Sequence, residues 1–167
     1  MELDEMILVS VDDHVVEPPD LFEGRLSAAA AARAPYVERT AAGRDVWMFE
    51  GAALPNVGLN AVAGRDPLEY GVDALAFEQM RPGCYEIDAR VDDMNVNGVL
   101  GSLNFPSLAG FCGQLFATCD DKDVAIELLR AYNDWHVEEW CGRHPGRMIP
   151  LAVPPIWDVQ LMADEVR

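Results

Sequence analysis

Basic residues are scarce in this chain: 12 Lys and Arg stand against 29 Asp and Glu, a formal charge of −17 over 167 residues. So acidic a surface repels phosphate backbones and argues against a nucleic-acid partner, and it offers no basic face to anionic lipid. Long hydrophobic runs are missing as well. The first apolar run, Ile7–Val11, is far too short for a signal core or a membrane span, and MELDEM before it is acidic, not basic. The four cysteines, Cys84, Cys112, Cys119 and Cys141, contain no C-x-x-C pair. With no secretory signal they read as reduced thiols of a cytoplasmic protein, not as a disulfide frame or a zinc knot. G-x-G-x-x-G, Walker A, G-x-S-x-G and H-E-x-x-H are all lacking, which removes the common nucleotide, esterase and zincin readings.

What is present reads as an α/β protein. Half the residues are hydrophobic and a quarter are charged, as in globular domains. Three short apolar runs, Ile7–Asp12, Gly98–Phe105 and Met148–Val153, have the near-continuous character of strands covered on both faces. Helical periodicity lies between and after them. The clearest case is Asp121–Arg143, where Ala125, Leu128, Leu129, Tyr132 and Trp135 recur at three- and four-residue spacing. Glu86–Asn95 and Trp157–Arg167 supply the other helices. The order predicts a parallel sheet. Between the first two strands, Asp13–Asn97 is too long for an ordinary connection. It holds an alanine-rich stretch (Ser27–Pro35), a small hairpin at Asp45–Phe49 turning at Glu50-Gly51, and a Gly/Pro-rich region near Leu54–Pro67. A complete (β/α)8 barrel runs to roughly 250 residues. The expectation is therefore a partial TIM barrel: residues 1–167 make about the first three βα units, with residues 13–97 inserted after the first strand.

The chemistry concentrates in Val9–Leu21, VSVDDHVVEPPDL. Asp12 and His14 are two apart at a strand end, so their side chains leave the same face. In a barrel that face points to the C-terminal rim, where catalytic groups gather. A carboxylate and an imidazole there make two-thirds of a catalytic metal site, which takes three protein ligands and an open position. Asp13 alternates outward. Glu17, in the following loop, could be a ligand, a partner that orients one, or a cap. His136 and His144 lie on the long helix and cannot reach the rim, while Tyr132, Trp135 and Trp140 fit its core stripe. Asn104, Phe105, Pro106 and Pro154-Pro155 border the rim by position, though Phe105 is as easily core.

The segment carrying Asp12, His14, Glu17 and Pro18 resembles the D-x-H-x-x-E-P opening of the amidohydrolase-related family. That family includes aminocarboxymuconate semialdehyde decarboxylase and aromatic-acid decarboxylases of the gamma-resorcylate type. DVWMFEG, IDARVDDMNVNGV and AYNDWHVEEWCGRHPGRMIPLAVPP resemble further family stretches in the same order. The resemblance implies a metal-dependent hydrolase or decarboxylase acting on a small organic, carboxylic or aromatic acid. Asp12 and His14 would be metal ligands, Glu17 a further candidate, and zinc the expected ion with manganese as the alternative. The remaining ligands and the acid–base residue would come from later strands, beyond Arg167. The competing expectation is a non-catalytic chain that self-associates or pairs with a polypeptide supplying the missing strands.

Overall fold

The first apolar run forms β1 (Leu8–Val15) in the computed structural model, which describes residues 6–55, 58–73 and 75–167. Met1–Glu5 of the acidic N-terminus and Asn56–Val57 of the Gly/Pro-rich stretch lie outside the described residues. β1 runs three residues beyond the apolar run Ile7–Asp12, so Asp13, His14 and Val15 belong to the strand itself. Hydrogen bonding to a parallel neighbour extends it past the last apolar residue. That neighbour is β5 (Val99–Pro106), which pairs in turn with β6 (Met148–Ile149), again in parallel. The expected parallel sheet is therefore present, in the order β1-β5-β6. Register shifts where Ser10 faces Ser102 and Asp13 faces Asn104, which leaves one extra residue in β1. Such a bulge re-aims the side chains around it.

β6 is shorter than its apolar run, and the backbone shows why. Pro150 has no N–H to give. The amides of Leu151 and Val153 instead donate to His136 Nε2 (3.2 Å) and Asn133 Oδ1 (2.9 Å). Asn133 Nδ2 returns a bond to the Val153 carbonyl (3.0 Å), so this side chain stands in for a strand neighbour.

The insertion is more ordered than its composition implies. The alanines form only a single turn, α1 (Ala28–Ala31), capped by Ser27. The expected hairpin exists as β3 (Asp45–Phe49) and β4 (Ala52–Pro55), turning through Glu50 and Gly51 in the left-handed region. A strand not foreseen, β2 (Tyr36–Arg39), pairs antiparallel with β3 and makes a second three-stranded sheet. Trp47 and Phe49 of β3 are buried in the main core, with Phe22 edge-on to Trp47.

Helices cover one side of the parallel sheet. α2 (Ile87–Val96) leads into β5, and a short α3 (Gln114–Ala117) follows it. α4 (Lys122–Trp135) starts at Asp121, whose carboxylate caps the Asp123 and Val124 amides. Its stripe of Ala125, Leu128, Leu129, Tyr132 and Trp135 is buried, as the periodicity required. The helix does not then continue regularly to Arg143. From His136 to Cys141 it widens into a π-helical turn, whose five-residue spacing brings Trp135 and Trp140 to the same side. α5 (Val159–Glu165) is capped by Asp158. Among the described residues no helix is long and apolar enough to cross a membrane.

Under the sheet runs a buried polar chain. Trp140 Nε1 donates to Asn104 Oδ1 (2.8 Å), Asn104 Nδ2 to Ser102 Oγ (2.9 Å), and the Ser102 hydroxyl to Asp13. Asn104 therefore faces the helices, not the rim. The Trp140→Phe change should leave its carbonyl oxygen buried and unpaired, at a cost of about 1–3 kcal/mol. Urea unfolding of the variant measures this. A loss near zero would mean that the chain of bonds does not depend on Trp140.

Candidate functional site

Asp12 and His14 line one cavity of about 420 Å³. β1 presents them on one wall, Phe105 and Pro106 at the end of β5 form a second, and Leu151–Pro154 beyond β6 form a third. Gly110, Phe111 and Cys112, from the loop after β5, complete the lining. The same two residues also border a groove of about 630 Å³, which Asp13, Arg81, Arg90 and Asp93 line with them. The pair thus sits between an apolar chamber and a polar groove.

The backbone around His14 is held firmly. Its carbonyl accepts from Arg90 Nη2 (2.7 Å), while Arg90 Nε donates to the Gly83 carbonyl (2.5 Å) and the guanidinium lies 5.8 Å over the Trp140 ring. The His14 ring centroid is 6.0 Å from that of Phe105. Its Nδ1 atom is buried and, among the described residues, has no hydrogen-bond partner. A buried polar atom left unpaired is costly, so an orphaned ring nitrogen is a feature to be explained. An ion or ligand at His14 would satisfy it; His136 Nδ1, away from the cavity, is likewise buried without a partner among the described residues.

Glu17 occupies a different position. It does not line the cavity, and its carboxylate is fully buried. Oε1 accepts from the Ser107 amide and the Tyr132 hydroxyl (both 3.0 Å), and Oε2 from the Leu108 amide (2.8 Å). Of the roles open to it from sequence, this geometry matches the cap: one side chain ties the end of β1 to the loop after β5 and to α4. Burial pushes its pKa up to about 7 against the lowering effect of those hydrogen bonds.

The other histidines stay away from the cavity. His136 is buried, stacks on Tyr132, accepts from the Leu151 amide and lies 3.5 Å from Cys141 Sγ. Burial lowers its pKa to about 4. His144 pairs with Asp88 at 2.7 Å. All four cysteines are free thiols. Phe111 and Cys112 were not foreseen at the site. The one sequence signal was Gly110 and Gly113 bracketing them, a loop able to hold unusual backbone angles.

The described residues contain no group of three His, Cys, Asp or Glu that could hold a metal ion. Asp12 and His14, whose Nδ1 has no partner among the described residues, would fit part of a ligand set, and the pair would need completion from elsewhere. No family model and no curated protein matches the sequence. Among solved structures, an amidohydrolase from Mycobacterium avium subsp. paratuberculosis K-10 matches with a TM-score of 0.68 at 19% identity. The match covers 97% of this chain and 45% of that one.

The chain's fold is similar to part of the fold of that amidohydrolase. The chain spans less than half the length of that protein, and a mixed α/β unit with the parallel sheet β1-β5-β6 fits a partial barrel. The amidohydrolase-like fold also accounts for bare apolar side chains on β1, namely Leu8, Val9 and Val11, because barrel strands are normally covered on both faces.

The shifted acid and base of the core are linked to folding with opposite signs. Glu17 holds its proton more tightly when folded, so its contribution is fully present below about pH 4.5 and is lost as pH rises through about 7. His136 contributes above about pH 6.5, and that contribution is lost as pH falls through about 4. Each is worth about 3 kcal/mol, and between about pH 4.5 and 6.5 they offset one another. Glu17→Gln removes the first, so the variant's stability should climb by about 2–3 kcal/mol across that window. Urea unfolding at a series of pH values tests this, and a variant profile parallel to the parent's would show that Glu17 does not titrate there.

Proposed function

We propose that this chain provides the first-strand share of a metal-dependent active site, in a hydrolase or decarboxylase acting on a small organic acid of the carboxylic or aromatic kind. The observation that carries the reading is the placement of Asp12 and His14 on one cavity, with His14 Nδ1 lacking a partner among the described residues, inside an amidohydrolase-like fold. The two side chains would hold a divalent ion, zinc first and manganese as the alternative. When bound, such an ion supplies Lewis-acid polarisation of a substrate oxygen. The protein's part is to fix the donors. Arg90 anchors the His14 carbonyl, and Glu17 ties the end of β1 to the next loop, so both donors leave a strand whose end cannot drift. A third ligand and the group that moves the proton would come from later strands of a longer polypeptide or from a partner chain. The four free thiols support a reducing, cytoplasmic setting.

A second reading is favoured by the sheet. Among the described residues β1 and β6 each have one strand neighbour, and unpaired edges with exposed apolar side chains invite association. On that reading the chain is an assembly partner without turnover of its own.

The two readings separate in one set of measurements. By calorimetry the 167-residue chain should bind zinc weakly, because two ligands cannot close a site, and His14→Ala should abolish that binding. Turnover of aryl carboxylic acids, amides and lactones should be negligible for this chain. It should appear, and be chelator-sensitive, once the remaining strands are supplied in cis or in trans. Tight zinc binding that survives His14→Ala moves the metal elsewhere. Silence from the completed barrel favours the assembly reading.

A further inference from the structure

The two candidate donors sit on a bulged strand. Ser10 faces Ser102 and Asp13 faces Asn104, so Val11 and Asp12 together oppose Leu103. Asp12 and His14 line the cavity at the end of β1, and Asp13 between them does not. A slip of one residue would exchange those faces and offer the cavity Asp13 in place of the pair. The apolar side chains of β1 do little to prevent it, because Leu8, Val9 and Val11 are exposed.

The polar chain beneath the sheet supplies the hold. Ser102 and Asn104, which bracket the bulge on β5, are its middle links. Its direction is set at one end. An indole N–H can only donate, so Trp140 Nε1 turns the Asn104 carbonyl oxygen toward itself (2.8 Å). The Asn104 amide then donates to Ser102 Oγ (2.9 Å), and the Ser102 hydroxyl is left to donate to the Asp13 carboxylate. Asp13 is thereby drawn to the helix side. The Trp140 ring carries a second tie. The Arg90 guanidinium, 5.8 Å from its centroid, donates to the His14 carbonyl (2.7 Å). Burial works against the Arg90 cation, and Asp13 is the first of the charges that support it. Both routes from one buried indole thus end on neighbouring residues of β1. Trp140 itself is placed by the π-helical turn, since residues five apart on a regular α-helix face different ways.

We propose that Trp140 is a positioning residue: from the helix layer it pins the bulge of β1, and so decides that Asp12 and His14, not Asp13, face the cavity. This role rests on the reading of those two side chains as metal donors. It adds that the π-helical turn behind the sheet selects the donor pair, which spacing within β1 does not do unaided.

The test uses the 167-residue chain, first without metal and then with zinc. In NMR spectra of the metal-free chain, backbone contacts of Asp13 with Asn104 and of His14 with Phe105 report the register. Trp140→Phe keeps a ring for Arg90 and removes the Nε1 donor. Ser102→Ala cuts the same chain next to Asp13 and, as a smaller change, serves if Trp140→Phe does not fold. Each should weaken or double the two contacts and speed amide exchange at Asp12–Val15 about tenfold. Val124→Ala, which trims a buried side chain of α4, controls for lost stability and should change neither. Because both substitutions break one chain, combining them should add less than about twofold to the larger single effect. In the zinc titration each single variant should bind about tenfold more weakly, the scale for groups that orient a ligand. Unchanged contacts in both variants, equal changes in Val124→Ala, or parental zinc affinity despite a shifted register overturns the proposal. A shifted register in a chain whose parent binds no zinc counts against the metal reading, and supports Trp140 as the residue that sets the faces of β1.

Discussion

The Glu17 carboxylate is the joint on which the arrangement at the strand ends depends. Three donors from two other parts of the chain converge on it, the Ser107 and Leu108 amides beyond β5 and the Tyr132 hydroxyl on α4. No water is needed to satisfy its oxygens, and none of its surface is exposed. Ser107 closes the joint by donating its hydroxyl to the Val15 carbonyl at 2.7 Å. Burying a carboxylate is expensive unless its hydrogen bonds are made, and here they are made to groups that would otherwise be unpaired themselves. The backbone between His14 and Glu17 is thereby pulled under the loop that carries Phe111.

Around that joint the molecule has two contrasting sides. On the helix side, α4 and its π-helical extension bury an aromatic cluster of Tyr132, Trp135 and Trp140, and the polar chain from Trp140 to Asp13 runs through it fully paired. On the other side, apolar residues of β1 remain bare and the sheet has open edges among the described residues. The parallel sheet β1-β5-β6 fits part of the fold of the amidohydrolase that the chain matches. Asp12 and His14 border a cavity at the end of β1, on this barer side.

Much of this was legible in the residues. Each of the three apolar runs holds one strand of the parallel sheet, though Leu8, Val9 and Val11 stay exposed and only Met148–Ile149 of the third run pairs, and the stripe from Ala125 to Trp135 is the core face of α4. Asp12 and His14 share a cavity, as spacing of two within a strand requires. The turn at Glu50-Gly51 was visible too, since it needs residues that tolerate positive φ. Less visible were β2, whose short polar run Tyr36–Arg39 acquires strand character only from β3, and the widened turn at His136–Cys141, which a three-to-four-residue periodicity does not resolve.

The sequence by itself determined the three strands of the parallel sheet, the main helices and their order, and that Asp12 and His14 would border one cavity at the end of β1, because these follow from local periodicity. Only the tertiary structure decided where the polar groups go. Glu17 became a buried tether, Asn104 turned to Trp140, and Asn133 and His136 took the amides that shorten β6. The loop at Phe111 gained its place by packing on Val153. Each of these depends on a partner distant in the chain, and the cost of leaving a buried polar group unpaired selects that partner only once the fold has brought the two together.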